Sequence, residues 1–357
     1  MKCIKIKKLY PSIFNLSIWL IYESAMRGVV IVEIIATIGA SCVGIELERT
    51  IEVAKTVGVN NFRFNFGKYD NADDLYSRAS QLRKLKKIYD IKIMLDLPFP
   101  YKKPRIYSDI VSRKICKGDV LEISYGDIHH KRDAYTNSNT IKDLSIGEDI
   151  IYSDGEGIWR VKEKHNRSIT VEALNDSILV NGKSLNYDKL MYCEDLDLFK
   201  DAVSLIQPNS VALSFISSSD EIITFTHGLP KGIEIISKIE SSNGLSNLEE
   251  IVLFSNLMVA RGDLSIYANC LDINKNQDKI VNTAKRGGRK VYIATGILSS
   301  LYNRNIPSPA EMIDLSRIAE LKPDGIVLNY GLVMKNIHRA CDIINFITSI
   351  QAYAEER

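Results

Sequence analysis

EIISKIESSNGLSNLEEIVLFSNLMVARGD, residues 234–263, contains two short apolar runs, EIISKIE (234–240) and NLMVARGD (256–263), each closing on charged residues. Runs that are almost continuously apolar read as strands buried on both faces, the pattern of a parallel sheet covered by helices. Six more occur: EIIATIG (33–39), NFRFNF (61–66), IKIMLDL (91–97), SVALSFI (210–216), KVYIATG (290–296) and GIVLNYG (325–331). Most neighbours are about 25–30 residues apart, the length a strand, a loop and a helix require. Amphipathic stretches such as 71–89 and 272–286 lie between them, and a last helix is expected over 332–352. Eight such units predict an α/β fold closed into a (β/α)8 TIM barrel.

One gap breaks the spacing. More than 100 residues separate the third run from the fourth, and KGDVLEISYGD, GEDIIYSDGEGIWRVK, RSITVEALND and SILVNGKSLN within them read as short strands joined by Gly, Asn and Asp turns. The expected division is an N-terminal extension (1–28), a first barrel part (29–104), an inserted small all-β lid domain (105–186) and a second barrel part (187–357). The insertion leaves the barrel after a strand end, where the loops of this fold build active sites, so its expected task is to close over substrate. The segment YPSIFNLSIWLIY (10–22) has no small-residue cleavage site and is too short to span a bilayer. It is expected to lie on the barrel, to be an extended start before Met26, or to form a dimer contact.

Composition narrows the class. With 45% hydrophobic and 25% charged residues, the chain reads as a soluble globular protein, and no membrane partner is expected. Lys+Arg of 46 against Asp+Glu of 44 leaves no whole-chain field for nucleic acid, so any anion site is local. The six cysteines are far apart and form no CxxC pair, which points to reduced thiols and a cytoplasmic location.

The last positions of the predicted strands carry Thr37, Arg63, Asn65, Asp96, Ser214, Lys238, Glu240, Arg261, Asp263, Thr295 and Asn329. In a barrel these converge on one mouth. Buried charge is costly unless partnered or used, so eight strands ending this way favour catalysis over a structural role. Glu240 and Asp263 are expected on adjacent strands, where two carboxylates offer hard oxygen ligands to Mg²⁺ or Mn²⁺. Lys238, two residues before Glu240, shares its strand face and suits stabilisation of a phosphoryl or enolate oxygen. The plainer alternative is a lysine that only neutralises the two acids. Arg63 offers a planar fork for phosphate or carboxylate, and the amides of Gly262 and Asp263 would hold a carboxylate if they open a helix. Arg261-Gly262-Asp263 ends an apolar strand in a chain without secretory features, which rules against an adhesion motif. The His129-His130 pair reads as a solvated turn, and RGGRK (286–290) as a helix end.

ISKIESSNGLSNLEEIV (236–252) and LMVARGDLSI (257–266), followed by Gln277, KVYIATGILSSL (290–301) and PSPAEMIDL (307–315), resemble the central signature of pyruvate kinases in order and spacing. TIGAS (37–41), RFNFGKYDN (63–71), LDL (95–97) and EDLDLFKDAV (194–203) fall where that family has its first barrel strands and the approach to its fourth. The resemblance runs from about residue 30 to the end. It implies Lys238 as electrostatic catalyst, Glu240 and Asp263 as divalent-metal ligands, Arg63 as phosphate binder and Thr295 near the protonated carbon. It also implies that Arg261, Gly262 and Asp263 hold the enolpyruvate carboxylate, that Asp154 is the lid acid, and that Lys68 stands where relatives place a nucleotide-contacting histidine.

Departures bear on two of these sites. Of the family's monovalent-cation ligands only Asn65 and Asp96 remain, with Gly67 and Leu97 in place of two hydroxyl residues, which argues against K⁺ activation. In the loop LPFPYKKPRI, Lys102, Lys103 or Arg105 is expected to supply the missing positive charge. Ser217 and Asn329 replace an arginine and an acid on the nucleotide side. The family's C-terminal domain is not matched, so its effector pocket is not expected, and a homodimer through barrel helices is.

The leading reading is metal-dependent phosphoryl transfer between phosphoenolpyruvate/pyruvate and ADP/ATP. A second keeps the metal-stabilised enolate of pyruvate or a related 2-oxoacid but uses no nucleotide, as in a decarboxylase, aldolase or transferase. A third is a non-catalytic pseudokinase acting as a binding subunit.

Overall fold

The computed structural model describes residues 32–39, 42, 44–67, 71–126 and 133–355. The segment 10–22, Lys68 and the His129-His130 pair lie outside them.

In chain order the elements are β1 (Glu33–Ile38), α1 (Gly44–Thr56), β2 (Asn61–Asn65), α2 (Ala72–Tyr89) and β3 (Lys92–Leu97). Eleven short strands follow: β4 (Tyr101–Lys102), β5 (Arg105–Tyr107), β6 (Ser112–Ile115), β7 (Val120–Tyr125), β8 (Ala134–Thr136), β9 (Asp149–Tyr152), β10 (Gly157–Lys164), β11 (Ser168–Ala173), β12 (Ser177–Val180), β13 (Lys183–Asn186) and β14 (Met191–Tyr192). Then come α3 (Leu196–Ile206), β15 (Ser210–Leu213), α4 (Ser219–Thr226), β16 (Glu234–Ile239), α5 (Ser242–Ser246), α6 (Leu248–Ile251), β17 (Asn256–Ala260) and α7 (Arg261–Tyr267). The chain continues through α8 (Ile273–Arg286), β18 (Val291–Ala294), α9 (Pro309–Leu321), β19 (Gly325–Leu328) and α10 (Tyr330–Glu355).

All eight predicted runs form strands, and together they make a closed parallel barrel in the order β1-β19-β18-β17-β16-β15-β3-β2. β15, β18 and β19 are buried along their whole length, as continuous apolar runs require. Several runs stop short of their expected ends. β17 ends at Ala260 because Arg261 already begins a helix. β15 ends at Leu213, two residues before Phe215 turns into the left-handed region at φ 54°, and β18 gives way to Thr295 and Gly296 at φ 75° and 78°.

The chain falls into two compact units. One comprises the chain through Asn65, Lys84–Met94 and the stretch from Lys290 onward. In it β1 pairs with β2 and β19, and β18 with β19. Its helix α9 starts at a capping box, in which Ser308 accepts from the Glu311 amide and Glu311 reaches back, with Pro309 at the first helical position. The long helix α10 is interrupted at Asn336, whose amide group donates to the Leu301 carbonyl at 2.6 Å.

The other unit comprises Phe66–Arg83 and Leu95–Arg289. Here β15, β16 and β17 run side by side. α8 buries Ile280, Val281 and Ala284 and carries Lys285 and Arg286 in its last turn, where they complement the helix dipole. The same unit holds a second closed barrel, β10-β11-β7-β8-β5-β13-β9, inserted between β3 and β15. Its core centres on Trp159 and Tyr152, stacked with centroids 4.7 Å apart. Among the described residues no helix is long and apolar enough to cross a membrane.

One glycine in this unit has no spare room. Gly244, in α5, gives its amide to the capping Ser241 hydroxyl, and a Cβ at its position would lie 2.7 Å from the Ile216 carbonyl oxygen. Because that neighbour is backbone, it cannot rotate away. Gly244→Ala is expected to lower the unfolding free energy by about 1–3 kcal/mol in urea titrations; an unchanged midpoint and slope would show that the turn yields freely.

Candidate active site

β16 carries Lys238 on its inner face, and Glu240 follows directly after the strand; both are buried. The Lys238 ammonium lies among three acceptors: Asp96 Oδ1 at 3.2 Å, Ser214 Oγ at 3.0 Å and Glu240 Oε1 at 3.1 Å. Asp96 comes from the end of β3 and is buried. Ser214 is held by the same strand end, since both its amide and its hydroxyl donate to the Leu97 carbonyl, at 3.1 and 3.0 Å. Three strand termini thereby fix one amine, which limits the positional freedom that a lysine side chain otherwise has.

The other carboxylate oxygen of Glu240, Oε2, accepts from the Phe215 amide at 2.7 Å. Phe215 aims that amide from a left-handed conformation, φ 54°, which is unfavourable for a bulky residue and costs of the order of 1–3 kcal/mol. Its ring meets Tyr267 edge-on at 5.1 Å.

Asp263 is the third residue of α7, so it reaches the site from a helix's first turn rather than from a strand end as expected. Its carboxyl lies near enough to that of Glu240 for each to act on the other's ionisation. Two such neighbouring carboxyls do not titrate independently, and the burdens fall unequally. Burial, then Asp263 and Asp96 nearby, push Glu240 up to about 7 against the opposing pull of Lys238. Burial also acts to raise Asp263, but the Lys103 amine, with Lys238, holds it below the ordinary carboxylate value.

Lys103 makes a short ion pair, Nζ to Asp263 Oδ1 at 2.6 Å, with the two side chains 16% and 17% exposed. Arg105, at the start of β5, donates from Nη1 to the Gly182 carbonyl at 2.9 Å and lies in the field of Asp263 and Asp154. Burial lowers its pKa, and Tyr107, Asp263 and Asp154 offset part of that loss. Tyr267 stands by the two acids, its hydroxyl 3.4 Å from Asn186 Oδ1; burial first, then Asp263 and Glu240, drive its pKa upward.

Lys102 pairs with Asp195 at 3.2 Å and Lys103 with Asp263, while the amine on Asp96 is that of Lys238. Lys102 is in β4, which pairs with β14.

Other predicted residues have different surroundings. In the first unit, Arg63 and Thr37 are register partners on β2 and β1, and Arg63 Nη1 donates to Thr37 Oγ1 at 3.1 Å. Asn65 is the last residue of β2. Thr295, exposed just after β18, has φ 75°, a conformation seldom adopted by a β-branched residue and found where function over-determines the backbone. Asn329 accepts from the Leu332 amide at 2.9 Å, capping α10, and donates to Ser299 Oγ at 3.3 Å. In the second unit, Arg261 and Gly262 are the first two residues of α7, and Asp154 is exposed in the turn after β9. Ser217 is engaged with Glu221, through its amide at 2.7 Å and its hydroxyl at 3.0 Å, at the start of α4.

The donor set suits a divalent cation. Glu240 and Asp263 are largely buried acids close enough to act on each other's ionisation, and two such neighbouring carboxylates suit an ion with a preference for hard oxygen. Among the described residues no group of three or more His, Cys, Asp or Glu side chains is arranged to hold a metal. Two carboxylates are enough for Mg²⁺ when substrate oxygens and water fill the remaining positions.

Residues 30–328 match the family model for the pyruvate kinase barrel domain. The pyruvate kinase of Thermoplasma acidophilum is 29% identical over 317 residues, covering 83% of this chain and 54% of that protein. Those of Clostridium perfringens and Encephalitozoon cuniculi are 28% and 26% identical, over 83% and 78% of this chain and 65% and 67% of theirs. The chain thus spans about half to two thirds of the length of these curated relatives. With the eight-stranded barrel, the inserted β domain and a family match across most of its length, this chain belongs to the pyruvate kinase family.

Proposed function

We propose that the chain transfers a phosphoryl group between phosphoenolpyruvate/pyruvate and a nucleotide, ADP or ATP, at a Mg²⁺ or Mn²⁺ held by Glu240 and Asp263. The observation that carries this reading is the Lys238 ammonium, fixed by Asp96 and Ser214 and 3.1 Å from one of the two paired carboxylates. Such an amine, preorganised in a buried site, stabilises negative charge on a transferring phosphoryl group or a developing enolate oxygen. The metal would supply Lewis acidity toward the phosphoryl and enolate oxygens.

The remaining roles follow from residue type and from the family. Arg63 binds the phosphate with its guanidinium fork, and Arg261, Gly262 and Asp263 meet the carboxylate end of the substrate at the start of α7. By the family resemblance, Thr295 is assigned to the protonation of the enolate carbon. By the same resemblance, Lys68 and Asp154 are assigned to the nucleotide, and the inserted domain is assigned the exclusion of water when substrate is bound. Asn65 and Asp96 are the remnants of a monovalent-cation site, and with Lys238 already on Asp96 the reaction is expected to proceed without K⁺.

A nucleotide-free enolate chemistry on a 2-oxoacid is the second reading, favoured by an uncharged Ser217, engaged with Glu221, and an uncharged Asn329, capping α10, on the nucleotide side. The decisive measurement is pyruvate formation from phosphoenolpyruvate with and without ADP in Mg²⁺ or Mn²⁺ buffer. ADP-dependent turnover supports phosphoryl transfer. Metal-dependent exchange of the pyruvate methyl protons without ADP turnover supports the second reading. Neither, in folded protein, leaves a binding subunit.

A further inference from the structure

Lys103 performs no step above, yet it makes a short contact with one of the two acids. Its amine is 2.6 Å from Asp263 Oδ1, and both side chains are more than four-fifths buried. Lys103 precedes Pro104, which confines its backbone to extended conformations. A divalent ion of Mg²⁺ size takes carboxylate oxygens at about 2.0–2.1 Å. An ammonium already on the same oxygen would then face two positive charges at contact distance in a poorly hydrated site, and it must move away for the ion to bind. Arg105 lies in the same carboxylate's field, so the displaced lysine leaves a guanidinium behind it.

Resting on the divalent-site reading of Glu240 and Asp263, we propose that Lys103 is a resident competitor for the cation at Asp263, and that this lysine sets how weakly the site holds Mg²⁺ or Mn²⁺. The oxygen accepts either the ammonium or the ion. Each binding event therefore includes the free energy of breaking the Lys103–Asp263 pair.

The test is a Mn²⁺ titration of the full chain, reading free Mn²⁺ by electron paramagnetic resonance, for the parent, Lys103→Met, Lys103→Gln, Asp263→Asn and Lys103→Met/Asp263→Asn, with folding checked by circular dichroism. Both Lys103 variants are expected to bind Mn²⁺ about tenfold more tightly than the parent, and Asp263→Asn to weaken that binding in either background. Equal or weaker affinity in both Lys103 variants, with Asp263→Asn still disruptive, overturns the competitor role and leaves the metal site standing. Mn²⁺ binding that ignores Asp263→Asn, or that is absent throughout, overturns both.

Discussion

Lys238→Met is expected to lower kcat for ADP-dependent pyruvate formation by about 10²–10³-fold or more, the loss that follows removal of one preorganised charge-stabilising donor. The side chain also supports the fold, which makes the variant informative twice. Asp96 and Glu240 have side chains only 4% and 1% exposed, and the amine is 3.2 and 3.1 Å from them. Without it, buried charge is left uncompensated, and removing one partner of such a cluster costs about 3–5 kcal/mol. Lys238 is the larger of two influences that lower the Glu240 pKa, the other being the Phe215 amide, so in Lys238→Met that carboxyl holds its proton to higher pH than in the parent. The expected signature is a catalytic loss far larger than the fraction unfolded, measured by steady-state kinetics beside urea denaturation. A variant that turns over at the parental rate would remove Lys238 from the chemistry.

Glu240→Gln carries the second large effect. The amide retains an oxygen for the Phe215 N–H, so folding is expected to survive, while Mn²⁺ affinity falls by about 100-fold or more, since disrupting even the outer shell of a metal site costs 10–100-fold. The same variant tests the proton. Burial raises Glu240 from its ordinary 4.5 to about 7, so between these values the folded chain retains a proton that the unfolded chain has lost. The stabilisation from that proton is complete below about pH 4.5 and is lost as pH rises toward 7. Asp263 runs the other way: its pKa is depressed, and its contribution is present above its ordinary 3.8 and lost only as pH falls below that value. In metal-free buffer the parent should therefore lose unfolding free energy relative to Glu240→Gln between about pH 4.5 and 7, and parallel curves would refute the assignment. Mn²⁺ affinity of the parent should rise through the same window, because the ion takes the place of the Glu240 proton.

Much of this architecture was legible before any coordinates. Continuous apolar runs such as SVALSFI and GIVLNYG announce strands because burial on both faces leaves no room for alternation. The long gap between the third and fourth runs marked an insertion, and turn residues marked it as β structure. The site acids and Lys238 were legible for the same reason, since charge at the end of an apolar run is seldom there by accident. Element ends were less so: NLMVARGD reads as one run, and only the helix beginning at Arg261 shows that Asp263 approaches from a helical turn.

Local sequence by itself therefore determined the order of strands and helices, the family and the identity of the charged groups, because periodicity and residue chemistry act over a few neighbours. Tertiary structure alone decided which groups meet. Nothing near Lys103 in sequence announces Asp263, 160 positions away, and nothing in Phe215 foretells an amide aimed at Glu240. Ion-pair choice depends on distances of a few ångströms, and closure of the chain, not its composition, sets those distances.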